Sequence, residues 1–184
     1  MRMGVGMALR AWMVVCALFL AAPFASAQDA QNIQYFYGRF TGGAEIKGDP
    51  NAPARRESEV EIAATDNGFQ ITWTTLSLDV ESTGGVKVKT AVEKFVPTET
   101  PTIFHTEEQG DPLNGKPLTW ATITGNTLMM STLTIWPDGT HDLATWSRTV
   151  IGDQMKLVFT RVQNGEITRR VEGELVKVDA LEDE

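Results

Sequence analysis

Residues 128–178, LMMSTLTIWPDGTHDLATWSRTVIGDQMKLVFTRVQNGEITRRVEGELVKV, decide the fold of this chain. Three short turn sequences divide the stretch: Pro137-Asp138-Gly139, Ile151-Gly152-Asp153-Gln154 and Gln163-Asn164-Gly165. Between them, apolar and polar side chains alternate, which is typical of β-strands. The stretch therefore predicts four consecutive strands, each antiparallel to the next.

The same pattern extends upstream. Residues 56–65 alternate, Asp66-Asn67-Gly68 is a strong hairpin signal, and the alternation resumes over residues 69–74. The pattern predicts the first strand over residues 35–46, with a bulge or bend at its glycines. For residues 28–34 it predicts either a disordered lead or a short helix that caps a barrel end.

The whole pattern predicts nine or ten strands and no long helix. A meander of this kind must close or be covered, because free strand edges invite aggregation. We therefore predict an all-β fold: an antiparallel up-and-down meander that closes into a single soluble β-barrel of about 8–10 strands.

The first 27 residues have the features of a secretory signal peptide. Arg2 and Arg10 form a positive n-region, residues 11–22 are apolar but too short to span a bilayer comfortably, and Ala25-Ser26-Ala27 is a small-residue cleavage site. We expect cleavage after Ala27; the alternative is an uncleaved membrane anchor. The prediction is therefore a periplasmic or secreted protein.

The remaining chain is predicted to be a barrel domain over residues 28–178 and a solvated acidic tail over 179–184. Cys16 lies in the leader, so the exported part has no disulfide to stabilise it and depends on its core. Of the 16 Lys and Arg residues, Arg2 and Arg10 also lie in the leader, which leaves 14 basic against 24 acidic residues, a net charge of −10. This charge argues against nucleic acid and anionic membrane surfaces as partners.

Charged residues also follow one face of several strands, and we place these faces outward. They are Glu57, Glu59 and Glu61; Lys87, Lys89 and Glu93; and Glu172 and Glu174. The outer surface of an outer-membrane barrel is an apolar band, where a charge costs a few kcal/mol. We therefore predict a barrel that does not span a membrane.

In such a barrel the inward-facing side chains decide what the protein binds. Alternation places Met155, Leu157 and Phe159 inside, with Arg161 next on that face; Trp146 and Arg148 share a face with Ala144 and Val150; and Ile167, Val171 and Leu175 bring Arg169 inside. The predicted ligand-binding residues are Trp146, Arg148, Phe159, Arg161, Arg169, Trp73 and Trp120.

Two interpretations of these residues remain open. The arginines could anchor an acidic head group, since a guanidinium group fits carboxylates and phosphates, or they could lie at the barrel rims or pair with an inner glutamate. The aromatic residues could line an apolar cavity or fill a packed core.

The turn around Asn164 sets the faces of the last strand. A two-residue Asn164-Gly165 loop would place Arg170 opposite Phe159 and turn charged residues inward, which is costly for unpaired charges. A three-residue loop that starts at Gln163 opposes Phe159 to Arg169 instead. We therefore predict the three-residue loop, with Gly165 in a left-handed conformation.

The sequence contains no motif that identifies an enzyme. No nucleophile elbow, zincin, P-loop or dinucleotide-binding motif occurs. His141, beside Asp138 and Asp142, could hold a metal or act as a base, but an exposed histidine in a turn is the interpretation we favour, and His105 has no cluster around it. We predict a protein that is not an enzyme and that needs no metal or cofactor.

Gly38-Arg39-Phe40 resembles the G-x-W motif that opens the first strand of lipocalins, with Phe40 in place of the tryptophan. This resemblance to the calycin type, which includes lipocalins and fatty-acid-binding proteins, implies that Arg169 or Arg170 packs across Phe40. With Gly42 added, the stretch also resembles the G-x-W-x-G opening of haem-binding nitrobindin-like barrels. Those barrels ligate haem through a late histidine, and no histidine follows His141, so haem is not expected.

These observations lead to three hypotheses. The first is an exported carrier or sensor that binds a small hydrophobic or amphipathic ligand, including an acidic lipid-like one, inside the barrel. The second is a protein-interaction module with a packed interior and no ligand. The third, which we favour least, is a hydrolase or isomerase that works at the barrel mouth. The sequence leaves the oligomeric state open.

Overall fold

The computed structural model describes residues 32–48, 56–78 and 86–178. The predicted signal peptide and acidic tail lie outside the described residues. Within the described ranges, no helix has both the length and the apolar character needed to cross a membrane.

Ten antiparallel strands form the described structure, which confirms the predicted all-β barrel. The strands are β1 Gly38–Lys47, β2 Arg56–Thr65, β3 Gly68–Leu78, β4 Val86–Pro97, β5 Ile103–Thr106, β6 Leu118–Thr124, β7 Thr127–Ile135, β8 His141–Ile151, β9 Gln154–Gln163 and β10 Glu166–Val178. Short 3-10 helices, Ile33–Phe36 and Pro112–Asn114, precede β1 and β6.

The barrel closes where β1 pairs with β10, so every strand has a neighbour on both sides. Gly42 lies at this junction, and a Cβ atom there would lie 2.1 Å from the carbonyl oxygen of Glu174. Of the bulge or bend predicted at the glycines of β1, the bulge is wrong, since the β1–β10 ladder runs without a register shift. Gly42 instead lets the two closing strands approach each other.

The turn between β9 and β10 has two residues. Asn164 and Gly165 both have positive φ, 49° and 88°, and Gln163 pairs with Glu166 across them. The predicted three-residue loop is therefore wrong. Asn-Gly is the preferred pair for this tight turn, because both positions need a left-handed backbone.

A bulge in β10 nevertheless restores the predicted inner and outer faces from Arg169 onward. The register shifts between Ile167 and Arg169, so that Arg169 pairs with Arg161 and Val171 pairs with Phe159. One extra residue in one strand turns the following side chains to the opposite face. Arg169 therefore faces inward as predicted, whereas Ile167, before the bulge, is 64% exposed and its predicted inward position is wrong.

The inner and outer faces of β4 are the reverse of those predicted. Phe95 is fully buried and stacks on Phe69 of β3, with ring centroids 5.1 Å apart. Because side chains alternate along a strand, Lys87, Lys89 and Glu93 share the inner face with Phe95. The expected outward position of these three charges is wrong, and the valines of β4 face solvent instead.

One end of the barrel is packed with apolar side chains, and we call it the packed end. Phe36, from the helix Ile33–Phe36, is fully buried there. Of the two alternatives predicted for residues 28–34, the short helix is the one found at Ile33 and Gln34, and 28–31 lie outside the described residues. Phe69 contacts both Phe95 and Phe104, in stacked and edge-to-face geometry. Leu128, Met130 and Met155 complete this part of the core. The other end, toward Arg56 and the C-terminal half of β3, holds a cavity, and we call it the cavity end.

The two ends should respond differently to loss of an aromatic ring. Phe69→Ala should lower the free energy of unfolding by about 3–5 kcal/mol, because it leaves a void in the packed end. Phe159→Ala at the cavity end should cost roughly half of that or less, since Phe159 is only half-buried. Urea unfolding of both variants checks this prediction, and equal losses would contradict the division into a packed end and a cavity end.

Candidate ligand-binding cavity

The cavity end contains a void of about 450 Å³. Cavities that bind small molecules in proteins are typically about 300–1,000 Å³. Strands β1, β2, β3, β4, β8, β9 and β10 each contribute to its wall. The void is therefore enclosed by much of the barrel circumference and lies above the packed end.

Arg148 of β8 is the most unusual side chain on this wall. It is 0% exposed, and its Nε and Nη1 atoms have no hydrogen-bond partner among the described residues. The ladders place it between Leu128 of β7 and Leu157 of β9, both buried and apolar. Neither cross-strand neighbour can accept a hydrogen bond from the guanidinium group.

Burial lowers the pKa of Arg148 from its usual value to about 10. The cause is desolvation, which disfavours the charged form of a base. At neutral pH the group still carries its charge. The cavity wall therefore contains a buried cation whose Nε and Nη1 donors have no partner in the described part of the chain.

Aromatic rings lie beside this cation. The ring of Trp73 is 6.0 Å from the Arg148 guanidinium carbon, within the range of a cation–π contact. Trp146 packs between Trp73 and Phe159, with ring centroids 6.0 and 4.9 Å away. These three half-buried rings give the cavity an apolar wall next to its charge.

Four more cations line the cavity: Arg56, Arg169, Lys87 and Lys89. The Nε atom of Arg56 is buried and has no partner among the residues that the structure describes. The pKa of Arg56 is lowered by burial and, to a smaller extent, by the nearby charge of Arg169. Among the described lining residues, one is acidic: Glu59, whose carboxylate pairs with Arg39 at 2.7 Å. The described lining is therefore basic in an acidic protein.

Five of the seven residues predicted to bind a ligand line this cavity: Trp73, Trp146, Arg148, Phe159 and Arg169. Their role in binding stays a prediction. Arg161 and Trp120 do not line it, for two different reasons.

Arg161 faces the barrel interior but is engaged in an ion pair. Its Nε atom donates to the carboxylate of Asp142 at 2.7 Å, and Asp142 is nearly fully buried. This contact raises the pKa of Arg161, mainly through the hydrogen bond. One alternative predicted for the inward arginines was an ion pair with an inner glutamate. Arg161 forms such a pair, but its partner is an aspartate.

Trp120 lies on the outer face of β6. Thr119, Ala121 and Ile123 are the buried residues of that strand, so Trp120 between them points outward. Its predicted place in the cavity is therefore wrong. The sequence pattern was ambiguous here because both faces of the strand are rich in apolar and threonine side chains.

The inward positions of three cavity residues were not predicted, although the sequence contains signals for them. These residues are Arg56, Lys87 and Lys89. Arg56 has the same parity as Val60 and Ile62, which are buried. Lys87 and Lys89 have the same parity as Phe95. An aromatic residue at one end of a strand thus indicates which face of the whole strand points inward.

The other candidate groups do not form a site. His105 contacts the carbonyl oxygen of Thr106 through Nδ1, at 2.7 Å, and His141 is exposed at the start of β8. Over the described ranges, no group of three or more His, Cys, Asp or Glu residues is arranged to hold a metal ion.

The contact implied for Phe40 by the lipocalin resemblance is made by another residue. Lys177 places its Nζ atom 5.9 Å from the centre of the Phe40 ring. Arg170 instead pairs with Glu172 at 2.8 Å, and Arg169 lines the cavity. The expected packing of Arg169 or Arg170 across Phe40 is therefore wrong, because Phe40 lies beside the C-terminal end of β10 and the arginines lie near its start.

No protein-family model matches the sequence, and no curated protein matches it. Among solved structures, the chain is similar to a protein of unknown function of the DUF3598 family from Nostoc punctiforme, with a TM-score of 0.52 and 15% identity. The match covers 80% of this chain and 49% of that chain, so this chain spans about half the length of the Nostoc protein.

A second solved structure, the S-type phycobiliprotein lyase from Guillardia theta, matches with a TM-score of 0.30 and 9% identity, over 80% of this chain and 91% of that chain. A score this low supports no inference. The similarity to the Nostoc protein supports the barrel fold alone.

Arg148 and Arg161 should have opposite effects on the stability of the ligand-free protein. Arg148→Met removes a buried, unpaired charge and should raise the free energy of unfolding by roughly 1–3 kcal/mol. Arg161→Met removes the same charge but leaves the buried carboxylate of Asp142 without its partner, so it should lower that free energy by about 1 kcal/mol. Denaturant unfolding at neutral pH measures both.

The pH dependence provides a further check on Arg148. Its pKa in the folded protein is lower than in the unfolded chain, so the folded state loses its proton first as the pH rises. The destabilisation by Arg148 is therefore complete below about pH 10 and is relieved as the pH rises above it. The stability difference between Arg148→Met and the wild type should shrink over that range, and a constant difference would contradict the assignment.

Proposed function

We propose that the barrel binds a small anionic ligand with an apolar or aromatic body, as a carrier or sensor. The observation that supports this most is Arg148, which lies in the wall of a 450 Å³ cavity, fully buried and with two donor atoms that no described residue pairs. The acidic group of the ligand would contact Arg148. Its apolar body would lie against Trp73, Trp146 and Phe159.

The free-energy cost of burying the Arg148 charge supports this proposal. A buried charge without a partner costs several kcal/mol, which the rest of the fold must offset. A carboxylate, sulfonate or phosphate group would satisfy the free donors in a water-poor setting, where charge-assisted hydrogen bonds are strong. Arg56 and Arg169, on β2 and β10, add a second positive region to the same cavity.

We propose binding rather than catalysis, in a barrel of the calycin type. A cavity that presents cations and aromatic rings suits recognition of an acidic amphipathic molecule. The competing hypothesis of a packed interior describes one end of the barrel, around Phe69 and Met155, but not the end that holds Arg148.

Two fluorescent probes that differ by one charged group test the proposal. Anilinonaphthalene sulfonate is anionic, and phenylnaphthylamine is its neutral counterpart. The wild type should bind the sulfonate more tightly than the neutral probe. In Arg148→Met this preference should fall by about 10- to 100-fold, the value of one to two charge-assisted hydrogen bonds.

Arg161→Met is the matched control, because it makes the same change in charge and side chain on the neighbouring strand but outside the cavity lining. It should leave the preference for the sulfonate unchanged. Equal losses in both variants would mean that the probe senses net charge alone. Binding of both probes with equal affinity by the wild type would refute the anionic-ligand proposal.

We further propose that the protein works after export from the cytoplasm. The support is the leader-like sequence over residues 1–27. Expression of the full chain in a bacterium should give a periplasmic or secreted product whose N-terminal residue is Gln28. A product that stays in the cytoplasm with Met1 intact would refute export without affecting the cavity.

A further inference from the structure

Within the described residues, one side of β4 has no strand partner over most of its length. β4 spans twelve residues, Val86–Pro97, whereas β5 spans four and pairs only with Phe95, Val96 and Pro97. Among the described residues, no strand pairs with 86–94 on the β5 side. Free strand edges usually carry devices that block pairing with other chains.

The backbone groups on this free edge follow from the neighbouring turn. The N–H of Thr98 donates to the carbonyl oxygen of Ile103 at 3.1 Å, so the amide of Thr98 points toward β5. Amide directions alternate along a strand, and the β3–β4 ladder runs from Val86 to Phe95 without a shift. Val88, Thr90 and Val92, which have the same parity as Thr98, therefore direct their N–H and C=O groups to the free edge.

We propose that two copies of this chain pair antiparallel along this edge of β4, with Thr90 opposite Thr90 of the partner. In this register Val88 lies opposite Val92, and each such pair can exchange two backbone hydrogen bonds. The arrangement is isologous, so the same contacts form twice around a two-fold axis.

Side-chain charges favour this register. With Thr90 at the centre, Lys87 lies opposite Glu93 on the inner face, once on each side of the axis. These are pairs without direct backbone bonds between them, in which cross-strand side chains approach most closely. Glu93 is half-buried and forms no ion pair with a described residue, and its pKa is raised by burial. A lysine from a second copy would supply the missing partner.

The outer face of the same edge is apolar. Val86, Val88 and Val92 are 56%, 57% and 50% exposed. Alternating β-branched residues have high strand propensity, and cross-strand valine pairs stabilise a sheet. A strand that presents valines outward, opposite charges inward and a free backbone edge between them is complementary to a second copy of itself.

Sedimentation analysis of the purified protein over a range of concentrations tests the proposal. The wild type should reach twice the chain mass as concentration rises. Thr90→Pro should remain at the mass of one chain, because it removes an edge N–H while leaving the β3–β4 ladder intact. Thr74→Val is the matched control, since it also breaks the hydroxyl contact between Thr74 and Thr90 but leaves the edge unchanged.

A charge exchange tests the register without proline. Lys87→Glu and Glu93→Lys should each weaken the dimer at least 10-fold, and the double variant should restore it, because the pair then has the reverse polarity. A wild type that stays monomeric at every concentration would overturn the proposal, as would a dimer that survives Thr90→Pro. Failure of the double variant to recover would overturn this register.

Discussion

The main physical constraint on this fold is a cation that the barrel wall keeps away from water. Arg148 follows Trp146 on the inner face of β8, and its cross-strand neighbours Leu128 and Leu157 are apolar. Arginine usually extends its charged end to solvent, but here the side chain is enclosed by strands on both sides. The cost of this burial has to be offset by the packed end, where phenylalanine and methionine side chains exclude solvent.

In a closed sheet, the side chains that point inward at one end of a strand determine which side chains point inward at its other end. In a closed ladder each strand has one inner and one outer face, and a residue cannot change face without a bulge. Phe95 is needed in the packed end, so Lys87 and Lys89 are carried into the cavity by the same strand. The basic character of the cavity is thus linked to the aromatic packing of the opposite end.

The sequence predicted those parts of the barrel in which local signals agree. β2 begins and ends at the predicted residues 56 and 65, because strict alternation is followed by Asp66-Asn67-Gly68. The inward position of Arg148 was also predictable, from its parity with Val150. At these positions the alternation of side chains along the strand correctly predicts which residues are buried.

Other features depend on contacts that a single strand does not encode. The bulge before Arg169 is set by pairing between β9 and β10, so the predicted loop was wrong although the face of Arg169 was right. In β4 valines and charges alternate with almost equal regularity, and Phe95 alone decides which set points inward. Whether Arg161 is free or paired depends on Asp142, nineteen residues away on the adjacent strand.

The buried cation also bears on specificity. A neutral ligand of the same shape could contact the rings of Trp73 and Trp146 but would leave the donors of Arg148 unsatisfied and further desolvated. Sites built around a polar group discriminate strongly against analogues that lack its partner, whereas apolar pockets discriminate weakly. Under the proposed function, the rings would supply contact area for many apolar bodies, and Arg148 would restrict these to ligands that carry an acidic group. The residue that lowers the stability of the barrel would then also be the one that makes binding selective.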